Sequence, residues 1–193
     1  MKNICVFCGS NFGLNGVFRE AARELGGEMA RRGIGLVYGG GSVGLMGTIA
    51  DTVLGAGGQV VGVIPEALAT KELLHAGVTR MHVVPSMHAR KALMSELADG
   101  FIALPGGFGT LEELFETITW AQLGLHRKTI GVLNVASYFD PLLELVANAI
   151  AEQFVWREFR NLFVVDSTPR NLLESMIHHR MPDVQRWLRR GET

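Results

Sequence analysis

A glycine-rich turn followed by two acidic residues is the segment of this chain most suggestive of chemistry. Residues 105–113 read Pro-Gly-Gly-Phe-Gly-Thr-Leu-Glu-Glu and directly follow the apolar run 101–104. This order predicts a buried strand, a tight turn and a helix start, where free backbone N–H groups and the helix dipole favour an anion. Because Glu112 and Glu113 are expected in the first turn of that helix, the segment indicates chemistry on a phosphorylated sugar.

Glu113 also has a purely structural interpretation. Thr110 and Glu113 match an S/T-x-x-E capping box, in which the carboxylate accepts a hydrogen bond from the capping residue's backbone N–H. On a helical wheel, Glu113 shares a polar side with Glu116 and Trp120, which indicates that a ligand, a loop or a second subunit covers that side. Four apolar residues form the stripe expected to face the core: Leu111, Leu114, Phe115 and Ile118. Both interpretations of Glu113 stay open at this stage.

An arginine stands where the helix predicted over 86–99 should carry an apolar residue. Leu93, Met94 and Leu97 define the buried stripe of that helix, and Arg90 completes it at helical spacing. A buried guanidinium is costly unless an anion pairs with it, so Arg90 is a candidate for a ligand or catalytic role. The alternative is an arginine that reaches solvent or pairs with a structural carboxylate.

Two earlier glycine turns are further candidates for phosphate contact. Residues 39–44 match G-x-G-x-x-G between a strand and a helix, although the motif follows the second strand and the next strand does not end on an acidic residue. Nucleotide or phosphate contact is therefore favoured over a complete dinucleotide, and a tight packing turn is the alternative. The residues assigned to this contact are Gly9, Ser10, Gly40, Gly41, Ser42 and Gly44.

Short apolar segments alternate with helical ones along the whole chain. Strands are predicted over 4–8, 34–38, 60–64, 81–84, 101–104, 130–134 and 163–165, and helices over 17–32, 45–54, 86–99, 110–123, 141–153 and 168–190. This alternation predicts an α/β fold, a Rossmann-like doubly wound parallel sheet flanked by helices. The glycine turns then lie at the carboxyl ends of the strands, where such sheets bind ligands. We expect residues 1–193 to form a single nucleotide-binding domain, with the helices at about 168–190 packed on it.

Composition excludes several other classes of protein. Lys and Arg total 18 against 19 Asp and Glu, so no nucleic-acid partner is expected, and no apolar run is long enough to span a bilayer. The apolar start of the chain is too short for a signal peptide, which favours the cytoplasm. Cys5 and Cys8 lie within one predicted strand and point to opposite faces, and the histidines are scattered. We therefore expect neither a metal nor a cofactor.

Two motifs together make the chain similar to a known family. The segment 105–113 matches P-G-G-x-G-T-x-x-E, and Met87-His88-Ala89-Arg90-Lys91 matches M-H-x-R-K. With the segments 8–10, 39–47 and 61–65, these motifs resemble the LONELY GUY family of cytokinin riboside 5′-monophosphate phosphoribohydrolases, whose relatives were long labelled lysine decarboxylase-like. The resemblance extends from the first strand to about residue 134, and no lysine stands in a context suited to a pyridoxal Schiff base.

The resemblance implies hydrolysis of the N-glycosidic bond of an adenosine-type 5′-monophosphate, which releases the free base and ribose 5-phosphate. It implies a catalytic pair, Arg90 and Glu113, and a homodimer with the site near the subunit interface. It also implies substrate contacts at Glu72, Arg90, Lys91, Gly107, Phe108, Gly109, Thr110, Leu111, Glu112, Glu113 and Thr119.

General chemistry agrees with such a reaction. A carboxylate near C1′ stabilises an oxocarbenium-like sugar or orients water, and a guanidinium offsets negative charge on the base or binds the phosphate. Two alternatives remain open: a general AMP or purine nucleotide nucleosidase, and a nucleotide-binding module without catalysis. A nicotinamide oxidoreductase is less favoured than either.

Overall fold

A single parallel sheet runs through the part of the molecule described by the computed structural model, residues 1–69 and 74–183. The strand order is β4-β3-β2-β1-β5-β6-β7, and every neighbouring pair is parallel. The strands are β1 (Asn3–Phe7), β2 (Gly35–Tyr38), β3 (Val60–Pro65), β4 (Arg80–Val84), β5 (Gly100–Ala103), β6 (Thr129–Leu133) and β7 (Phe163–Asp166).

Helices cover both faces of this sheet. They are α1 (Gly16–Arg31), α2 (Gly44–Gly55), α3 (Met87–Leu97), α4 (Phe108–Gln122), α5 (Asp140–Ala151) and α6 (Pro169–His178). The buried core on one face includes residues of α1, α2 and α6, and the core on the other face includes residues of α3 and α4, with α5 beside them. The sheet is therefore doubly wound, as the sequence predicts.

Strand β1 shows how the sequence produces these two cores. Its apolar residues alternate, so Ile4 and Val6 pack on the face covered by α1 and α2, while Cys5 and Phe7 pack on the face covered by α3 and α4. Cys8 follows on the first face, so the two buried thiols lie on opposite sides of the sheet, as expected. A strand that is buried on both faces is typical of a parallel sheet.

The strand order reverses between β1 and β5, and this reversal fixes where a ligand can enter. The chain proceeds outward from β1 through β2 and β3 to β4, and then returns to pair β5 with the other side of β1. The helices that follow β1 and β5, α1 and α4, lie on opposite faces of the sheet, so a crevice opens between the loops that follow these two strands. Gly107, the last residue of the glycine turn after β5, lines that crevice.

The predicted elements agree with the structure within about two residues, with one exception. The last helix ends at His178, residues 179–183 are not helical, and the remainder of the helix predicted over 168–190 lies outside the described residues. Helix α6 packs against β6, β7 and α1. Among the helices of the described chain, none has the length and apolar character needed to cross a membrane.

Candidate active site

The crevice between the loops after β1 and β5 is a cleft of about 330 Å³. One wall is formed by the end of β1 and its loop, the other by the start of α4, and the base by the first turns of α3. Polar and charged residues in the lining are Ser10, Arg90, Lys91, Thr110, Glu112 and Glu113, and the rest are glycines or apolar residues. A cleft of this size, apolar with a few convergent polar groups, is typical of a small-ligand site.

Helix α4 begins earlier than the sequence predicts. Its N-cap is Gly107, so Phe108 is the first helical residue and Thr110 the third. Thr110 is buried and its side chain does not cap the helix, so the capping-box interpretation of Glu113 is wrong. The placement of Glu112 and Glu113 in the first turn is also wrong, because the helix begins at Phe108. The first N–H groups of a helix have no partner within it, and here they stand at the wall of the cleft.

The buried stripe of α4 is also rotated relative to the predicted one. Its buried residues are Thr110, Leu114, Thr117 and Ala121, whereas Phe115 is 38% exposed. Burial of Thr117 costs little free energy because its hydroxyl donates a hydrogen bond to the backbone carbonyl of Glu113, 2.8 Å away. This rotation turns Glu113 away from solvent and towards the cleft, where its side chain is only 12% exposed.

Arg90 and Glu113 meet across the base of the cleft. The Arg90 Nη2 atom lies 3.2 Å from the Glu113 Oε1 atom, and the Arg90 side chain is 11% exposed. Gly39, at the end of β2, makes room for this guanidinium, since a Cβ atom there would overlap Arg90 Nη2. The Nε atom of Arg90 is buried and has no hydrogen-bond partner among the described residues. The arginine therefore retains an unused donor beside the cleft.

Burial raises the pKa of the Glu113 carboxyl from an ordinary value of 4.5 to about 7. The Arg90 guanidinium and, less strongly, Lys91 oppose this rise, while the negative charges of Glu112 and Glu116 add to it. Near pH 7 the carboxyl group therefore exchanges its proton readily, which suits a group that acts in catalysis.

Lys91 connects α3 to α4 beside this pair. Its Nζ atom donates to Glu112 Oε1 at 2.5 Å and to Glu116 Oε1 at 2.9 Å. Burial lowers the pKa of the Lys91 ammonium, but the hydrogen bonds to the two carboxylates outweigh this effect and leave the pKa above its ordinary value. A Schiff-base lysine needs the opposite shift, so Lys91, the one lysine that lines the described part of the cleft, is unsuited to that role.

Most of the substrate-contact residues implied by the resemblance meet at the cleft, and two of the described ones, Leu111 and Thr119, do not. Leu111 is half-buried against the core beneath α4. Thr119 is exposed, and its hydroxyl donates to the Phe115 carbonyl of its own helix at 2.7 Å. Glu72 lies outside the described residues. The cleft is lined by Gly9, Ser10, Arg90, Lys91, Gly107, Phe108, Gly109, Thr110, Glu112 and Glu113.

The turn at 39–44 has a different environment from the turn at 105–107. The backbone N–H of Leu45 donates to the Gly9 carbonyl at 3.0 Å, so the start of α2 is capped by the neighbouring loop. Gly44 has a φ of 64°, and a Cβ atom there would overlap the backbone of Ser10. Gly39 lines the cleft. Four other residues of this turn do not line it: Gly40, Gly41, Ser42 and Gly44.

The apolar part of the cleft is not evident from the sequence. Leu68, Met46, Met87 and Met94 line it together with the charged residues. Methionine side chains are adaptable and polarizable, which suits contact with a flat base. Met87 lies within the M-H-x-R-K motif and Met46 within the segment 39–47, but nothing in the spacing of these four residues indicates that they converge. Within the described residues, no group of three or more histidine, cysteine, aspartate or glutamate side chains is arranged to hold a metal ion.

Comparison with known proteins gives consistent matches along the chain. The family described as "Possible lysine decarboxylase" matches residues 46–176. A rice protein, "Probable cytokinin riboside 5'-monophosphate phosphoribohydrolase LOGL1" from Oryza sativa subsp. japonica, is 55% identical over 173 residues, which cover 90% of this chain and 78% of the relative. Cytokinin riboside 5'-monophosphate phosphoribohydrolase LOG1 of Arabidopsis thaliana is 47% identical over 175 residues, which cover 91% of this chain and 82% of the relative.

Solved structures with low sequence identity share the fold. The Moco carrier protein from Chlamydomonas reinhardtii superposes with a TM-score of 0.66 at 20% identity, covering 90% of this chain and 93% of that protein. The molybdenum cofactor binding protein from Rippkaea orientalis gives a TM-score of 0.65 at 22% identity, covering 90% and 94%. At this identity the likeness concerns the Rossmann-like architecture alone.

Proposed function

The chain belongs to the LONELY GUY family of cytokinin riboside 5′-monophosphate phosphoribohydrolases, and we propose that it hydrolyses the N-glycosidic bond of an adenosine-type 5′-monophosphate. The preferred substrate carries a prenyl group on N6 of the adenine. The products are the free base and ribose 5-phosphate. The observation that carries this proposal is the meeting of Arg90 and Glu113, from two different helices, at the base of a cleft beside an open helix start.

The substrate is oriented by its phosphate and its base. The phosphate binds at the start of α4, where the N–H groups of Phe108, Gly109 and Thr110 and the helix dipole favour a dianion. The base lies against the apolar part of the cleft formed by Met46 and Met87. The ribose then lies between these two regions, with C1′ near Glu113. Fixing both ends of the substrate lowers the entropic cost of reaching the transition state.

Hydrolysis breaks the C1′–N9 bond, and a water oxygen forms the new bond to C1′. The ionised Glu113 carboxylate stabilises positive charge on the ribose and accepts a proton from the attacking water. Arg90 offsets the negative charge that develops on the departing base through the positive charge of its guanidinium group. A ring nitrogen of the departing base takes up a proton from solvent, Glu113 returns to solvent the proton that it took from water, and C1′ of ribose 5-phosphate carries the new hydroxyl group.

A product assay tests the proposal. The protein is incubated with AMP, with N6-isopentenyl AMP and with the two dephosphorylated nucleosides, and the released base and ribose 5-phosphate are quantified. We expect release from both nucleotides, faster from the isopentenyl compound, and at least about a hundredfold less from the nucleosides because the phosphate contacts are lost. Equal turnover of AMP and its isopentenyl analogue would favour a general nucleotide nucleosidase, and binding without release would favour a non-catalytic module.

Two variants and two matched controls test the assigned residues. Glu113→Gln and Arg90→Ala are each expected to lower kcat by about a hundredfold or more. Helix α1 carries a similarly buried ion pair outside the cleft, in which Arg32 Nε donates to Glu28 Oε1 at 2.8 Å. Glu28→Gln and Arg32→Ala therefore remove the same groups elsewhere, and their turnover should stay close to wild type. A Glu113→Gln protein that folds and keeps full turnover contradicts the assigned role.

The chain acts in this proposal as a homodimer in the cytoplasm, as one nucleotide-binding domain without nucleic-acid or membrane partners. Exposed apolar residues on and after α4 support a second subunit, namely Phe115, Leu123 and Leu125, which are 38%, 50% and 69% exposed. Several large exposed apolar residues within one short segment are typical of an interface. Light scattering coupled to size-exclusion chromatography should give twice the chain mass, and a monomer would refute the dimer.

A further inference from the structure

Tyr138 contacts the glycine turn before α4 from a neighbouring cavity. This second cavity, of about 260 Å³, is lined by Phe12, Phe18 and Tyr138 and by the backbone of Gly106 and Gly107. The Tyr138 hydroxyl donates to the Gly106 carbonyl oxygen at 2.6 Å. Its ring packs edge-on against Phe18 at a centroid distance of 5.7 Å. The hydroxyl is thus aimed at one specific carbonyl by a packed aromatic ring.

The backbone that presents Tyr138 is strained. Ala136 and Ser137, the two residues before it, have φ values of 49° and 60°, a region that residues with a side chain rarely adopt. The segment is held in this form by Asn134, whose side chain donates to Asp140 at 2.7 Å and accepts from the backbone N–H of Phe139 at 2.7 Å. Strain of this kind persists where surrounding contacts over-determine the conformation, and it is often associated with function.

The geometry of one peptide plane explains what the hydroxyl achieves. The Gly106 carbonyl and the Gly107 N–H belong to the same peptide, which is trans, so they point in opposite directions. A carbonyl held towards Tyr138 therefore directs the Gly107 N–H away from Tyr138. Gly107 lines the catalytic cleft as well as the second cavity, and its N–H has no partner among the described residues.

A peptide between two glycines needs such a constraint. Rotation of this peptide by half a turn requires a positive φ at residue 107, which glycine adopts without penalty. The rotated peptide would present the Gly106 carbonyl oxygen, instead of an N–H, to the anion site at the start of α4. An oxygen beside a phosphate dianion is repulsive, so the rotated form would bind the substrate poorly.

We propose that Tyr138 is a positioning residue that fixes the Gly106–Gly107 peptide, so that the Gly107 N–H joins the first N–H groups of α4 in binding the substrate phosphate. This inference rests on the proposed function, since it assumes that a nucleotide phosphate binds at that helix start. Tyr138 itself does not touch the substrate. It acts through the orientation of one backbone N–H.

The variant Tyr138→Phe removes only the hydroxyl and keeps the packed ring. We expect its KM for AMP to rise about tenfold with little change in kcat, because a hydrogen bond to a charged group is weakened while the reacting atoms are untouched. The KM for adenosine, which lacks the phosphate, should not change. Tyr38→Phe is the matched control: Tyr38 is the other tyrosine of the chain, and its buried hydroxyl has no partner among the described residues.

A second variant separates positioning from general damage. Gly107 has a φ of −88° and open space where a methyl group would stand, so alanine fits there but disfavours the positive φ of the rotated peptide. The Tyr138→Phe penalty on AMP affinity should therefore shrink to about threefold or less in a Gly107→Ala background. Equal penalties in both backgrounds, or equal rises in KM for AMP and adenosine, would overturn the proposal.

Calorimetric titration with AMP keeps this inference distinct from the proposed function. A wild-type protein that binds AMP but does not cleave it refutes the catalytic proposal, while about tenfold weaker AMP binding by Tyr138→Phe would still support the positioning role. Cleavage of AMP by the wild type with unchanged AMP affinity in Tyr138→Phe would refute the positioning role alone.

Discussion

The two glycine turns that precede α2 and α4 look alike in sequence and differ in structure. Both follow a buried strand and begin a helix. At α2 the Gly9 carbonyl accepts from the Leu45 N–H, and Gly44 packs directly on Ser10, so the helix start is closed. At α4 the corresponding N–H groups stand at the wall of the cleft. A glycine turn thus becomes an anion site only where the neighbouring loop leaves it open.

The topology of the sheet explains this difference. Helices α1 and α2 lie on the same face, so the loop after β1 runs beside the start of α2 and caps it. Helix α4 lies on the opposite face, across the reversal of strand order between β1 and β5. The closed turn still serves the site, because Gly39 leaves space for the Arg90 guanidinium.

The largest contrast is expected from alanine at one glycine of each turn. Gly44→Ala forces a positive φ on alanine and overlaps the Ser10 backbone, so the free energy of unfolding should fall by at least about 3 kcal/mol. A Cβ atom added at Gly109 would have no neighbour within 4 Å, and the residue lies in a helix. The free energy of unfolding of Gly109→Ala should therefore stay within about 0.5 kcal/mol of wild type or rise. Urea denaturation measures both, and similar losses in the two variants would contradict the comparison.

Gly39→Ala should affect activity more than stability. The added methyl group displaces the end of the Arg90 side chain, which is flexible, so the fold adapts while the contact with Glu113 is lost. We expect kcat/KM to fall about a hundredfold, with a loss of about 1 kcal/mol or less in the free energy of unfolding. Steady-state kinetics and denaturation of the same preparation test this, and full activity would show that Arg90 need not occupy its observed position.

The sequence reveals some of these features and conceals others. The anomalous position of Arg90 is visible because the stripe of Leu93, Met94 and Leu97 requires an apolar residue there. The strands are visible because their apolar runs are buried on both faces. The start of α4 is not visible in the sequence, because the glycine-rich pattern suggests that Gly109 belongs to the turn, whereas it is helical. The low helix propensity of glycine favours a later start than the one observed.

Closure of the α2 turn could not be predicted from local sequence either. It depends on the Gly9 carbonyl, which is 36 residues before Leu45 in the chain and whose position is fixed only by the sheet order. The rotated buried stripe of α4 has a similar cause. Thr110 and Thr117 are buried although a helical wheel places them beside the predicted apolar stripe. Thr117 can be buried because its hydroxyl donates a hydrogen bond within its own helix.

The pH dependence of activity tests the protonation state of Glu113 in the helix that follows the open turn. Since burial raises the pKa of Glu113 to about 7 and the mechanism uses the ionised carboxylate, kcat/KM for AMP should rise as pH increases towards 7. The expected slope is about tenfold per pH unit below pH 7, with a plateau above it. A rate that falls as pH rises through 7 would show that Glu113 acts as a protonated acid.

The smallest effects are expected at the exposed residues beside each helix start. Phe108 is 94% exposed at the start of α4, and Val43 is 40% exposed at the N-cap of α2. Phe108→Ala should leave the free energy of unfolding within about 0.5 kcal/mol of wild type and raise the KM for AMP a few-fold. Val43→Ala should change neither quantity, because its turn is closed. A larger rise in KM from Val43→Ala would reverse the assignment of the two turns.

A crystal structure of the Glu113→Gln protein with AMP would show which helix start receives the phosphate. We expect phosphate oxygens within hydrogen-bonding distance of the backbone N–H groups of residues 107–110, with C1′ facing the side chain at position 113. A phosphate bound at residues 39–44 instead, or a ribose with C1′ turned away from position 113, would contradict this expectation.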